Sequence, residues 1–166
     1  MKYVALVFAA TACGGGDSKP AVTTNDAMID APINTTTALT AAMLNTRTLD
    51  HAIYGVNNDD GTLHVEVHKG GDPGCPTMTS PTPDYTAIIG RVPPMTAATA
   101  TSVANFLDYQ GDMLGGATLG AAATMVSLTS VVYTVGISVA LDVSLTFAAG
   151  TVTGHVFATH CDSLDG

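Results

Sequence analysis

The sequence predicts an all-β fold, a single antiparallel β-sandwich with a jelly-roll or immunoglobulin-like shape, at residues 41–166. Three observations predict it: short apolar runs are bounded by Gly, Pro and Asp-Gly turns, several runs alternate apolar and polar residues, and none keeps helical spacing. A segment of that length can bury a core. The Cys-Trp-Cys signature of true immunoglobulin domains is missing, because the chain has no Trp.

The first predicted hairpin joins a strand at Ala52–Val56 to a strand at Thr62–His68. The residues between them, Asn57–Gly61, end in Asp-Gly, and glycine supplies the positive φ that a tight turn requires. This acidic turn does not match a calcium-binding EF-hand loop, because Val56 and Val67 would stand where oxygen ligands are needed.

The remaining strands are predicted from β-branched content and alternation. Tyr85–Val92 and Met125–Val135 are rich in β-branched residues. Ala97–Leu114 suits either a helix or a strand, and we favour a strand. Ser138–Phe147 alternates strictly, which places its apolar residues on one face. Thr151–Cys161 follows a short turn, so we expect the chain to end in a hairpin.

The stretch from Met113 to Leu141 contains no charged residue, so a membrane-spanning helix is an alternative for it. Its Ser and Thr residues, its β-branched residues and the break at Gly136 favour buried strands instead. We therefore expect no membrane span here.

The N-terminus predicts an export signal at residues 1–12. Lys2 precedes an apolar run, Tyr3–Ala10, which is much shorter than the roughly 20 residues that a membrane span needs. Ala10-Thr11-Ala12-Cys13 then resembles the lipobox of bacterial lipoproteins, although Ala10 stands where that family prefers Leu. The resemblance implies cleavage before Cys13 and a diacylglycerol on its sulfur. The alternative is an ordinary cleaved signal with an incidental cysteine.

Residues 13–40 form a predicted flexible tether, because Gly, Ser, Asp, Pro and Thr dominate and no periodicity is sustained. The Cys-Gly-Gly-Gly-Asp start and the stretch Asp26–Pro32 are similar to the tethers of lipoproteins from myxobacteria and their relatives. That similarity implies an anchor in the bacterial cell envelope. Gly14 after the lipidated cysteine suggests sorting to the outer membrane.

The formal charge of the chain is -9, and loss of the signal removes one more positive charge, Lys2. So acidic a surface repels nucleic-acid phosphates and anionic lipid headgroups. We therefore expect no nucleic-acid partner, and membrane contact only through the lipid on Cys13. A mean hydropathy of +0.33 fits a folded domain better than a disordered chain.

Three cysteines are an odd number for an exported protein. Lipidation of Cys13 leaves Cys75 and Cys161, which an oxidising envelope allows to pair. Such a disulfide closes a loop that contains most of the domain. The alternative takes His160-Cys161-Asp162 as a nucleophile with its base, and it is disfavoured because neighbours on a strand point to opposite faces.

The strongest candidate for chemistry is His64-Val65-Glu66-Val67-His68. The two-residue period of a strand places His64, Glu66 and His68 on one face, opposite the valines. Two imidazoles and a carboxylate suit zinc or another divalent transition metal, with a fourth ligand from His51, His155 or His160. The alternative, which we favour, has no cofactor: the valines face the core and the other three residues form a solvent face.

Two loops are candidates for partner contact, Gly70–Pro76 and the proline-containing Thr77–Asp84, because surface loops carry binding more often than strands do. The alternative is a connection made rigid by proline and the disulfide.

The function predicted from the sequence is a lipid-anchored, non-enzymatic interaction or structural module with an unknown protein or glycan partner. The alternative is a divalent-metal-binding protein or metal-dependent hydrolase that uses His64, Glu66 and His68.

Overall fold

The computed structural model describes residues 33–94, 102–116 and 119–166, and these residues form an all-β fold. The all-β prediction is therefore confirmed. The predicted signal, Cys13 and the tether up to Pro32 lie outside the described residues, as does the start of the predicted Ala97–Leu114 strand, up to residue 101. Ile33–Gly166 form one compact unit.

Ten strands are present in the described residues: β1 (Ala38–Ala42), β2 (Thr46–Leu49), β3 (His51–Val56), β4 (Leu63–Lys69), β5 (Tyr85–Val92), β6 (Val103–Asp108), β7 (Gly120–Ala122), β8 (Met125–Thr134), β9 (Ser138–Phe147) and β10 (Gly150–His160). A 3₁₀ turn at Asp162–Leu164 follows. The predicted strands that correspond to β3, β4, β5, β8, β9 and β10 lie within one residue of these bounds. The favoured strand in the 97–114 stretch is found as β6.

The strands form one mixed sheet in the order β2-β1-β10-β3-β4-β5-β6-β7, and β9 and then β8 lie on the other side of β10. β10 is antiparallel to β1 and β9 but parallel to β3, with Thr159 opposite Ile53 and His160 opposite Tyr54. The prediction of a purely antiparallel arrangement is therefore wrong. The parallel pair arises because β1 covers β10 only as far as His155, and the end of β10 then meets β3.

The folded region begins before the predicted boundary at residue 41. β1 starts at Ala38, and it buries Leu39 and Ala41 while Ala38 and Thr40 are exposed. Gly154 on β10 permits this pairing, because its φ is +143° and a Cβ there would collide with the Ala38 carbonyl oxygen. The predicted tether includes most of β1 because the small Ala and Thr residues of this strand give a weak strand signal.

One hydrophobic cluster fills the interior, and every strand except β7 contributes a buried residue to it. Tyr54 and Phe106 are its largest fully buried side chains, and Val65 and Val67 reach it from β4. Ile53 is also buried, yet it does not belong to this cluster. Because neighbours on a strand point to opposite faces, Ile53 lies on the outer face of the sheet, where something else must cover it.

Candidate functional site

The predicted metal triad lies on β4, on the face opposite the core valines, as expected. His64 Nε2 lies 2.9 Å from Glu66 Oε1. His68, however, is buried, and its Nε2 lies 2.8 Å from the carbonyl oxygen of Asp72. Among the described residues these three do not form a group whose ligand atoms lie within 4.8 Å of one another. The triad is therefore not assembled as a metal site. The favoured prediction, that all three side chains face solvent, is confirmed only for His64 and Glu66, which are partly exposed.

The histidines considered as a fourth ligand are engaged elsewhere. His51 lies opposite His68 in the β3–β4 ladder, with ring centroids 5.7 Å apart. His155 Nδ1 lies 2.8 Å from Asp142 Oδ1 on the neighbouring β9. Neither histidine completes a ligand set with Glu66 within the described part of the chain.

The remaining histidine, His160, belongs to a group with metal-ligand geometry that the sequence reasoning missed, together with Asp162 and Asp165. Its Nδ1 lies 3.1 Å from Asp162 and its Nε2 lies 3.1 Å from Asp165. The Val56 amide donates to Asp165 at 2.7 Å, and this bond and then the one from His160 hold the pKa of the Asp165 carboxyl below its usual value. The two ring nitrogens thus connect the C-terminal turn to the end of β10, and the bond from Val56 connects it to the end of β3.

Cys75 and Cys161 lie at disulfide distance, with Cα atoms 5.4 Å apart, which confirms the predicted pairing. Cys161 is buried just after β10, whereas Cys75 is exposed in the connection between β4 and β5. The two residues are 86 positions apart in sequence. The bond therefore fastens that connection to the far end of the chain.

The connection is a compact loop, Gly70–Asp84, which we call the β4–β5 loop. It starts with two glycines at positive φ, +70° for Gly70 and +77° for Gly71. It ends where the Asp84 amide donates to the carbonyl oxygen of Lys69 at 2.8 Å. A Cβ on Gly71 would come within 3.2 Å of Pro83, so the loop also packs on itself there. Its ends meet, as in the Ω-loops that commonly carry function.

Asp72 organises the interior of this loop. Its Oδ1 accepts the Gly74 amide at 3.0 Å and its Oδ2 accepts the Ser80 hydroxyl at 2.8 Å. These two bonds hold the pKa of the Asp72 carboxyl below its usual value. Its carbonyl oxygen accepts the bond from His68, so one residue connects both halves of the loop to the sheet.

The loop covers the outer face of the sheet and encloses a cavity of about 80 Å³. Its lining is formed by the apolar Ile53, Pro76, Pro81 and Pro83 and the polar Glu66, His68, Asp72 and Thr86. Thr86 is 4% exposed, and within the described residues its Oγ1 has no hydrogen-bond partner. A buried hydroxyl without a partner is uncommon, because its desolvation is then not offset.

The tip of the β4–β5 loop presents Met78, which is wholly exposed. Two hydrogen bonds fix the backbone on either side of it: Ser80 N to Thr77 O at 3.1 Å, and Thr77 N to Ser80 Oγ at 2.9 Å. Methionine adapts its shape to many apolar surfaces. The loop thus combines a fixed backbone with an adaptable apolar contact.

A second surface of different character is the edge of β8, which pairs only with β9 in the described residues. Met125 is 61% exposed and Val132 is 44% exposed, and neither has a charged neighbour in sequence. A groove next to the start of β8 is lined by uncharged residues from β6 and β8 and from the segment that precedes β8. Native edge strands are usually protected by charge or proline, so this edge stands out as an association surface.

What these surfaces offer chemically is contact: an apolar loop tip, a carboxylate and a hydroxyl in a small cavity, and an uncharged strand edge. Among the described residues, no helix is long and apolar enough to cross a membrane. The chain was compared with family models, curated proteins and solved structures, and none of them matches it.

Proposed function

We propose that this protein is a lipid-anchored, non-enzymatic interaction module of the bacterial cell envelope, and that the β4–β5 loop contacts its partner. The observation that carries the proposal is the fixed loop: Asp72 and the Cys75–Cys161 bond hold its backbone, while Met78 is wholly exposed to solvent. A loop that is ordered before binding loses little conformational entropy when a partner docks. A metal-dependent activity of the triad is not proposed, because His68 is committed to the loop backbone.

The anchor is proposed from the sequence, on the lipobox-like residues before Cys13 and the composition of the tether. The domain that the structure describes starts at Ile33. The roughly 20 residues from Cys13 to Pro32 can span at most about 70 Å, at about 3.5 Å per residue. That length places the domain close to the membrane that holds the lipid.

The predicted sandwich, jelly-roll or immunoglobulin-like in shape, stays part of the proposal and is supported by the enclosure of one core by one sheet.

The anchor is tested by expressing the full chain in a diderm bacterium that is fed an alkyne fatty acid. We expect label on the wild-type protein and none on a Cys13→Ser variant, which should leave the membrane fraction. Equal labelling of the two, or equal membrane retention, would show that Cys13 is not the lipidated residue.

The contact surface is tested by placing a photo-crosslinking amino acid at Met78 in the same cells. Thr48, exposed on β2, serves as the matched control position. The proposal predicts a discrete adduct of defined mass from position 78 and none from position 48. An adduct from position 48 but not from position 78 would place the contact surface elsewhere.

A further inference from the structure

The floor of the cavity under the β4–β5 loop is built by three adjacent strands. Glu66 lies opposite Ile53 of β3, and His68 lies opposite Thr86 of β5. Because residues two apart on a strand share a face, all four side chains stand on the outer face of the sheet. The cavity is therefore bounded by the sheet on one side and by the fixed β4–β5 loop on the other.

Two acceptors in this cavity have unused capacity. Thr86 Oγ1 has no partner among the described residues. Glu66 Oε1 is engaged by His64 at 2.9 Å, and the described residues supply no hydrogen bond to Oε2. The third oxygen-bearing group, Asp72, already accepts one hydrogen bond from the loop at each carboxylate oxygen. Thr86 is thus the buried group of the cavity without a partner among the described residues, and a donor placed between it and the Glu66 carboxylate could bond to both oxygens.

The charge of the site favours a cation. Among the described ion pairs, Glu66 is paired only with His64, while the nearby Lys69 is paired with Asp50. The whole chain carries a formal charge of -9, which raises the local concentration of cationic ligands. A cation with several N–H donors would satisfy both Glu66 and Thr86.

The size and the walls select among cations. A volume of about 80 Å³ holds roughly two to three waters at about 30 Å³ each, or an ammonium group with a short apolar stem. Pro76, Pro81 and Pro83 offer apolar walls that suit methylene groups better than a hydrated metal ion. A divalent metal is also disfavoured, because Glu66, His68 and Asp72 do not form a group whose ligand atoms lie within 4.8 Å of one another.

Lysine fits better than arginine. A guanidinium binds a carboxylate best through two parallel hydrogen bonds to both oxygens. Here Oε1 of Glu66 already accepts from His64, so a two-bonded guanidinium would have to share that oxygen with the imidazole. An ammonium is a compact charge with three donors, and it needs only Oε2 of Glu66 and Oγ1 of Thr86.

We propose that the cavity receives the end of a lysine side chain from the partner, with its ammonium group between Glu66 and Thr86 and its methylenes against the prolines of the loop. This inference rests on the proposed function, in which the β4–β5 loop contacts that partner. It deepens the function by assigning the chemistry of one anchor residue of the partner, a primary ammonium on an aliphatic stem.

The test is a titration of the secreted chain carrying Cys13→Ser with N-acetyl-lysine N-methylamide, followed by the methyl resonances of Ile53 and Thr86. The matched control ligand is N-acetyl-norleucine N-methylamide, which has the same stem without the ammonium. We expect saturable shifts with the lysine derivative only. Shifts of equal size with the norleucine derivative, or no saturable shift with either, would overturn the proposal.

Variants identify the groups responsible. Glu66→Gln should weaken binding at least about tenfold, because a charge-assisted hydrogen bond is lost. Asp59→Asn, which removes an exposed carboxylate from the β3–β4 turn, should leave binding unchanged. Thr86→Val keeps the shape of the side chain, so it is the second variant if Glu66→Gln fails to fold, and it too should weaken binding. Unchanged affinity in a folded Glu66→Gln or Thr86→Val protein would contradict the assignment.

The two proposals fail separately. A partner adduct from Met78 together with no binding of the lysine derivative would overturn the lysine pocket and leave the proposed function standing. Binding of the lysine derivative without an adduct from position 78 would support the pocket and overturn Met78 as the point of contact with the partner.

Discussion

His68 Nε2 lies 2.8 Å from the carbonyl oxygen of Asp72, so a side chain that the sequence suggests as a metal ligand instead connects the β4–β5 loop to the sheet. A carbonyl oxygen only accepts, and the ring nitrogen therefore donates. His68 is 6% exposed, so loss of its imidazole would remove a buried side chain together with its hydrogen bond to the partly buried loop backbone.

Replacing His68 by Ala should therefore lower the free energy of unfolding by about 1 to 3 kcal/mol, because a buried side chain and its hydrogen bond are both lost. His64→Ala is the matched control, because His64 is half-exposed on the same strand face, and it should change stability by less than about 1 kcal/mol. Urea unfolding of the two variants measures the difference. Equal effects would show that the His68–Asp72 contact does not stabilise the loop.

The Cys75–Cys161 disulfide should contribute about 4 to 5 kcal/mol, because in the chain-entropy model the closed loop spans the 86 positions between them. The double variant Cys75→Ser/Cys161→Ser should shift the urea midpoint to match that loss under oxidising conditions. Reduction of the wild-type protein should reproduce the shift. A change below about 1 kcal/mol would mean that the β4–β5 loop is held without the bond.

The pH dependence of the loop should follow Asp72. Hydrogen bonds from Gly74 and Ser80 favour its carboxylate, so its pKa in the folded protein lies below the ordinary value of 3.8. Stabilisation by these bonds is complete above the unfolded pKa and is lost as the pH falls through the folded one. The Gly74 amide resonance should report a titration midpoint below 3.8, and it should not titrate in Asp72→Asn. A midpoint at or above the ordinary value would contradict the hydrogen-bonding scheme.

The early start of the domain can be tested at Gly154, where a Cβ would collide with the Ala38 carbonyl oxygen. Gly154→Ala should cost more than about 3 kcal/mol and release β1 from β10. Gly136→Ala is the matched control, since it has a φ of +66° with no atom within 4 Å of the added Cβ. It should cost only the strain of a positive φ, about 1 to 2 kcal/mol. Equal costs would argue against the β1–β10 contact.

The free edge of β8 predicts concentration-dependent association of the domain. A Val132→Lys variant should remain monomeric at concentrations where the wild-type protein associates, because charge protects edge strands from pairing with one another. Thr48→Lys places the same charge on β2, another edge of the sheet, and should leave association unchanged. Sedimentation velocity measures all three proteins. Association of Val132→Lys at the wild-type level would place the interface away from β8.

Sequence patterning predicted the long strands well, since strict alternation in β9 and β-branched content in β5 leave few other structures open. It missed β1, β2 and β7, which are short and made largely of small or polar residues. The parallel β3–β10 pair was not predictable either, because the period of a strand fixes which face is buried and says nothing about strand direction.

Part of the candidate site was also accessible from sequence. The shared face of His64, Glu66 and His68 follows from the period of two, and the pairing of Cys75 with Cys161 follows from the cysteine count once Cys13 is set aside as the predicted lipidation site. The burial of His68 does not, because it depends on how the β4–β5 loop folds back over the sheet. The Gly-Gly-Asp-Pro-Gly run starting at Gly70 was a usable signal, since Asp often bonds to backbone amides in such turns.

Photo-crosslinking from position 78 in cells, with and without Asp72→Asn, is the sharpest test of whether the fixed β4–β5 loop is the binding surface. This substitution removes the charge of the carboxylate that accepts hydrogen bonds from the Gly74 amide and the Ser80 hydroxyl. Asp72 lies outside the hydrophobic core. We expect a discrete adduct from position 78 in the wild-type protein. Its yield should be much lower in the Asp72→Asn protein, while the domain stays folded. An adduct of unchanged yield in Asp72→Asn, or one that forms equally from position 48, would contradict it.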